Sequence, residues 1–325
     1  MEPFQGQIME QDIIKQFTEL DEAFHARSKR SERLYVRFAA LAALSSPLEC
    51  SKLVDKTLEI RDTLNEELGV WRSPGRAMRI VFAASLASTG HNAKHFLDAR
   101  NALLARRSER GGRSLSQGGS CAALALVVSG GHPHQADNFY DTLEAIAAPW
   151  WRRDASREET LAAAFVALGE APDDALGQLN KTRQCLLSAG IPKHHANAAA
   201  YEVALLDPDH GQVAGAWTTL NLAVRGRSAL KHGVGKTGLA VLSAQGDGQA
   251  TADALVNSFE AIKALRPRSV GETAARLAMR LAQLQNGQTA PTSAARDLAA
   301  ILAAQSAMVA SVVAATSATN VATAS

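Results

Sequence analysis

The sequence predicts an all-α protein, a right-handed, solenoid-like stack of about seven helix-pair repeats (an α-α superhelix) with an N-terminal entry helix and a C-terminal capping helix. Three observations point there. An alanine-rich phrase recurs as FAALAALSSP (Phe38–Pro47), FAASLASTG (Phe82–Gly90), CAALALVVSGG (Cys121–Gly131), AAAFVALGEAP (Ala162–Pro172), AAYEVALLDP (Ala199–Pro208), GLAVLSAQGDG (Gly238–Gly248) and RLAMRLAQLQNG (Arg276–Gly287). Its endings fall roughly 40 residues apart, within the range of stacked helix-pair repeats. Runs of Val, Ile and Thr that would suggest strands are nearly absent, whereas Ala, Leu and Arg favour helix.

Residues 8–33 open the chain as an entry helix, with Ile13, Ile14, Phe17, Leu20 and Phe24 at helical spacing. Residues 34–287 form the repeat array. In each repeat the first helix is short and almost wholly apolar, as at Leu34–Leu44 and Leu161–Leu168, so it must be buried on both sides. The second is longer and amphipathic, marked by Leu53, Val54, Leu58, Ile60, Leu64 and Leu68 in the first repeat. Between the halves stand Ser46-Pro47, Gly130-Gly131-His132-Pro133, Ala171-Pro172-Asp173-Asp174, Asp207-Pro208-Asp209 and Gly246-Asp247-Gly248. Gly ends one helix, Pro blocks its continuation, and Asp or Ser caps the next. Residues 288–325 are an Ala/Ser/Thr-rich tail. Leu298–Ala315 carries no charge over eighteen residues, near the lower limit of a membrane span. Its apolar residues are mostly alanine, so a capping helix with a frayed end is predicted over a membrane anchor.

Composition bounds the function. The net charge of +2 gives no nucleic-acid signal, because counterion release needs clustered Lys and Arg. Cys50, Cys121 and Cys185 are far apart with no CxxC pair, so neither a disulfide framework nor a zinc finger is indicated. The start, MEPFQGQIMEQDIIKQF, is acidic and amphipathic and lacks the pattern of a secretory signal, which predicts a cytoplasmic protein.

The stretch DKTLEIRDTLNEELGVWRSPGRAMRIVFAASLAS (Asp55–Ser88), together with AAAFVALGEAPDDALGQL, resembles an uncharacterised bacterial family, domain of unknown function 4003. The resemblance spans roughly residues 10–287 and leaves out the alanine-rich tail. It implies an all-helical protein and supplies no catalytic residues.

Two surface patches are the candidate binding residues. Trp150, Trp151, Arg152 and Arg153 combine adjacent tryptophans, which cannot both face inward from a helix end, with the residue types that dominate binding hot spots. Arg106, Arg107, Arg110 and Arg113 form the densest basic run, suited to a phosphate or an acidic partner, or simply to a solvated loop. HGVGKTG (His232–Gly238) resembles the end of a phosphate-binding loop through Lys236 and Thr237, yet Leu230 stands where the first glycine belongs and no strand precedes it. A turn between repeats is the competing reading. His91 and His95, four apart, have metal-ligand spacing, and His132 and His134 lie one repeat later; helix-start histidines are the alternative. Asp173-Asp174 and Asp207, Asp209 and His210 read as N-caps rather than catalytic carboxylates. The leading function is therefore a non-catalytic interaction scaffold with a protein partner and no cofactor. A nucleotide- or phosphate-binding enzyme or regulator using the HGVGKTG turn and a helical metal-binding protein using His91 and His95 are the alternatives.

Overall fold

The computed structural model describes residues 3–44, 46–69, 73–111, 113–149, 154–206, 208–269 and 271–287. Among them the regular structure is helical throughout, with no strand. The tail 288–325, including the uncharged stretch 298–315, and the segment Trp150–Arg153 lie outside the described residues. No helix among the described residues is long and apolar enough to cross a membrane.

The described helices belong to two compact units, with the divisions falling inside two helices, between Lys15 and Gln16 and between Ala175 and Leu176. The first unit runs from Gln16 to Ala175. It holds the rest of α1 (Pro3–Arg27), then α2 (Val36–Ala43), α3 (Cys50–Glu67), α4 (Arg79–Ser88), α5 (Ala93–Arg110), α6 (Ser120–Val128), α7 (Ala136–Ile146) and α8 (Ala155–Ala167). The entry helix ends earlier than its sequence pattern predicts. Lys29 is extended (φ −67°, ψ 151°), and a 3-10 turn, Arg30–Glu32, follows.

Within this unit α2, α4, α6 and α8 pack in succession, α2 on α4, α4 on α6 and α6 on α8. All residues of α2, α4 and α6 are buried, as their largely apolar phrases require, Arg37 and Arg79 included. Phe38, Phe82 and Phe165 are 1%, 0% and 2% exposed, each contributing about 2–3 kcal/mol by burial. The amphipathic helices cover this row: α3 packs on α4, α5 on α6 and α7 on α8. Phe96 of α5 meets Phe82 of α4 edge to face, with ring centres 5.9 Å apart. Connections follow the predicted turn chemistry. Gly130 takes a left-handed φ of 83° after α6, which a side chain would resist, and its N–H bonds Val127 O at 3.0 Å. Asn92 and Asp154 accept main-chain N–H groups at the starts of α5 and α8.

The second unit runs from Leu176 through the last described helix and includes α1 up to Lys15. It contains most of α9 (Pro172–Ser188), then α10 (Lys193–Val203), α11 (His210–Ala223), the short α12 (Ser228–Lys231), α13 (Val234–Ser243), α14 (Gly248–Ala264) and α15 (Gly271–Gly287). Here α10 packs on α13 and α13 on α15, while α11 packs on α14 and α14 on α15. A part-buried ion pair, Arg280 of α15 to Glu202 of α10 at 2.8 Å, ties the first of these rows together.

Candidate functional site

A polar cleft of about 570 Å³ opens in the first unit where the 3-10 turn Arg30–Glu32 meets a second 3-10 turn, Arg76–Met78, beside α3. Its wall includes Lys29, Glu32, Asp62, Asn65, Glu66 and Arg76. The turn after α1 builds one side: Glu32 Oε2 accepts the main-chain N–H of Lys29 at 2.8 Å, folding the acid back under the chain. Glu32 is 2% exposed, so this carboxylate needs a positive partner. Arg61 of α3 supplies it, donating from Nη1 to Glu32 Oε2 at 3.1 Å and from Nε and Nη2 to Asp62 at 2.9 and 3.0 Å.

Arg79, 1% exposed, stands behind the same wall. Its Nε donates to Pro74 O at 3.0 Å, Nη1 to Leu64 O at 3.1 Å and Asn65 Oδ1 at 3.4 Å, and Nη2 to Gly69 O at 2.7 Å and Ser73 Oγ at 3.4 Å. The acceptors are all neutral. The Leu64 carbonyl lies in the last turn of α3, where a cation also complements the helix dipole. Burial holds the Arg79 pKa below the ordinary arginine value, with Arg76 and Arg100 adding to the shift. No pattern in the sequence marks these roles; there Arg79 is one more charge at the edge of an apolar phrase.

The basic run lies on α5 and the connection that follows it, where it faces acids of its own chain. Arg106 pairs with Asp137 of α7 and with Glu109 at 2.6 Å. Arg110 pairs with Asp141 at 2.7 Å and Glu144 at 3.4 Å, and its guanidinium lies 5.7 Å from the Tyr140 ring centre. Arg107 donates to Arg113 O at 3.1 Å, and Arg113 reaches the fully buried Glu158 at 3.0 Å. The run is thus a ladder joining α5 to α7 and α8. Any anionic ligand there competes with those carboxylates.

Beside the ladder is a buried acid pair that no motif in the sequence marks. Glu158 and Glu159, both 0% exposed, occupy the first turns of α8. Glu158 also accepts the Ala148 N–H at 3.2 Å, and Glu159 accepts the Ser116 N–H with both oxygens, at 3.0 and 2.9 Å. Ser116 begins a turn in which Gln117 (φ 48°), Gly118 (φ 61°) and Gly119 (φ 78°) are left-handed. Gln117 bears that conformation with a Cβ, a strained choice. Burial pushes the Glu159 carboxyl from 4.5 to about 7; Glu158 adds to the rise, while Ser116 and Arg113 oppose it.

The histidines sit at helix starts. His91 and His95 rings are 5.4 Å apart, and His132 and His134 rings stack at 5.4 Å. His95 belongs to the capping box of α5, its main-chain N–H bonding Asn92 Oδ1 at 3.1 Å. Burial lowers the His91 pKa, and His95, Lys56 and His132 lower it further. Among the described residues no three His, Cys, Asp or Glu side chains gather as a metal site would need.

HGVGKTG spans the α12–α13 junction. Gly233 turns the chain (φ 54°), and Lys236 and Thr237 lie in the first turn of α13. Thr237 Oγ1 is 2.8 Å from His195 Nδ1 of α10. The remaining glycines serve close packing. A Cβ on Gly235 would strike the carbonyl oxygens of Ala229 and Leu230, and one on Gly238 would strike Met279. Gly235→Ala should therefore destabilise the protein by about 1–3 kcal/mol, because backbone has to move. Gly238→Ala should cost less, since the Met279 side chain can turn away. Denaturant midpoints of the two variants test this order.

No protein-family model matches this chain, and neither the curated proteins nor the solved structures include a match to it.

Proposed function

We propose that this chain is a non-catalytic helical-repeat scaffold of the domain of unknown function 4003 type, working in the cytoplasm and binding a protein partner. The observation that carries the reading is the ordered succession of buried helices, α2 to α4 to α6 to α8, with α3, α5 and α7 packed over it. A helix apolar all round cannot stand alone, and a row of them sheltered by amphipathic partners is the packing logic of solenoid repeats. About seven such pairs along the chain would give an extended surface tuned by the connections between helices.

The patch assigned to the partner is Trp150, Trp151, Arg152 and Arg153. Its flanks are anchored by the acids and caps of α8: Ala148 donates to Glu158 on one side, and Asp154 caps α8 on the other. Affinity purification of the intact chain from its native host, compared with a Trp150→Ala/Trp151→Ala variant, tests the reading. The variant should keep the helical signal and melting temperature of the parent and lose a co-purifying protein. Recovery of the same proteins at the same yield by both would refute the patch.

A further inference from the structure

We propose that the cleft beside the 3-10 turns Arg30–Glu32 and Arg76–Met78 binds a small zwitterion, a molecule carrying a carboxylate and a protonated amine, as free amino acids and short peptides do. The proposal stands apart from the protein-scaffold reading and does not depend on it.

The polar wall of the cleft is fixed from behind. Arg61, with a 6% exposed side chain, holds both Glu32 and Asp62. Arg79 holds Asn65. Groups that must meet a ligand in one geometry are usually locked in this way by a second layer. The front of the cleft differs. Among the described residues no ion pair engages Lys29, Glu66 or Arg76, and Glu32 accepts hydrogen bonds only at Oε2, leaving Oε1 without one. Elsewhere in this unit, charged side chains at helix contacts find partners, as Arg106, Arg110 and Arg113 do.

The charges of the wall are sorted by element. The cations Lys29 and Arg76 come from the two touching turns; the unpaired anion comes from α3, through Glu66, and the buried Glu32, paired with Arg61 through Oε2, adds its unbonded Oε1. A simple anion drawn to Lys29 and Arg76 meets the field of Glu66, and a simple cation meets the reverse. A molecule with both charges satisfies both edges. The volume of about 570 Å³ lies within the range of small-molecule sites and takes a single amino acid or a peptide of a few residues.

Isothermal titration calorimetry of the full chain with each proteinogenic amino acid, and with di- and tri-alanine, tests the assignment. At least one of these should bind saturably, and whether a free amino acid or a peptide is tighter identifies the source. Acetylating the amine or amidating the carboxylate of that compound should weaken binding at least tenfold, as should Arg76→Gln and Glu66→Gln in the protein. Arg76 and Glu66 are exposed, so the folded state should survive, checked by melting temperature, with Lys29→Gln replacing either variant that misfolds. Absence of heat with every compound would overturn the proposal. So would unchanged affinity in the variants, or inorganic phosphate binding as tightly as the best zwitterion.

Discussion

Replacing Arg79 by methionine is expected to cost about 2–4 kcal/mol, among the largest effects of any single substitution in the first unit. Methionine keeps much of the volume and removes every donor. The Pro74 carbonyl then loses its bond from Nε, and the Leu64 and Gly69 carbonyls each lose one. Leu64 O keeps its bond from Leu68 N, and Gly69 O keeps Ser73 Oγ, so neither is orphaned outright. The opposing effect is real: a guanidinium among neutral acceptors is poorly solvated, and removing it relieves that cost. The donors should prevail because all the N–H directions of the guanidinium are used and they hold Leu64, Asn65, Gly69, Ser73 and Pro74 to one side chain. Arg79→Lys separates the two contributions. It keeps the charge but offers donors from a single point, which cannot span Leu64, Gly69 and Pro74 together. Lysine should therefore recover less than half of the loss in denaturant midpoint. Full recovery would mean that charge at the end of α3 mattered and the fork did not.

The contrast between Arg79 and the residues after it shows what a sequence can disclose. Phe82, Ala83, Ala84 and Leu86 announce their burial, because an uninterrupted apolar phrase has no other place to go. Turn residues are nearly as plain: Gly130, Asn92, Asp154, Asp209 and Asp247 end or cap helices in the manner their chemistry predicts. Buried polar residues gave no such sign. Arg79 and Glu159 look like surface charges at the margin of an apolar run, and their partners, at Leu64 and Ser116, are set by how the connections fold back. The cleft draws its wall from three stretches of chain, around Lys29, Asp62 and Arg76, with no spacing rule to connect them. In HGVGKTG the glycines stood out, but only Gly233 serves a turn; Gly235 and Gly238 are small because α12 and α15 lie against them.

Glu159→Gln should change how stability depends on pH. The folded state raises the carboxyl from 4.5 to about 7, so between those values the native protein holds a proton that the unfolded chain releases. Stability is then unpenalised below about pH 4.5, falls as pH rises, and above pH 7 carries a full cost of about 3 kcal/mol for ionising a buried acid. The charged groups around it are Arg113, which favours ionisation, and Glu158, which opposes it. Tyr140 and Cys121, both pushed up to about 12 chiefly by burial, stay neutral throughout. Glutamine can still accept the Ser116 N–H through its amide oxygen, so the left-handed turn keeps its anchor. The variant should match the parent near pH 5 and exceed it by about 1–3 kcal/mol near pH 8, flattening the melting temperature across that interval. Arg113→Gln should do the reverse, steepening the decline by removing the cation that favours the ionised acid and by stranding Glu158, which Arg113 contacts at 3.0 Å. Identical pH profiles for the parent and Glu159→Gln would show that water or rearrangement already solvates the carboxylate. The strained turn at Gln117 would then need a different anchor.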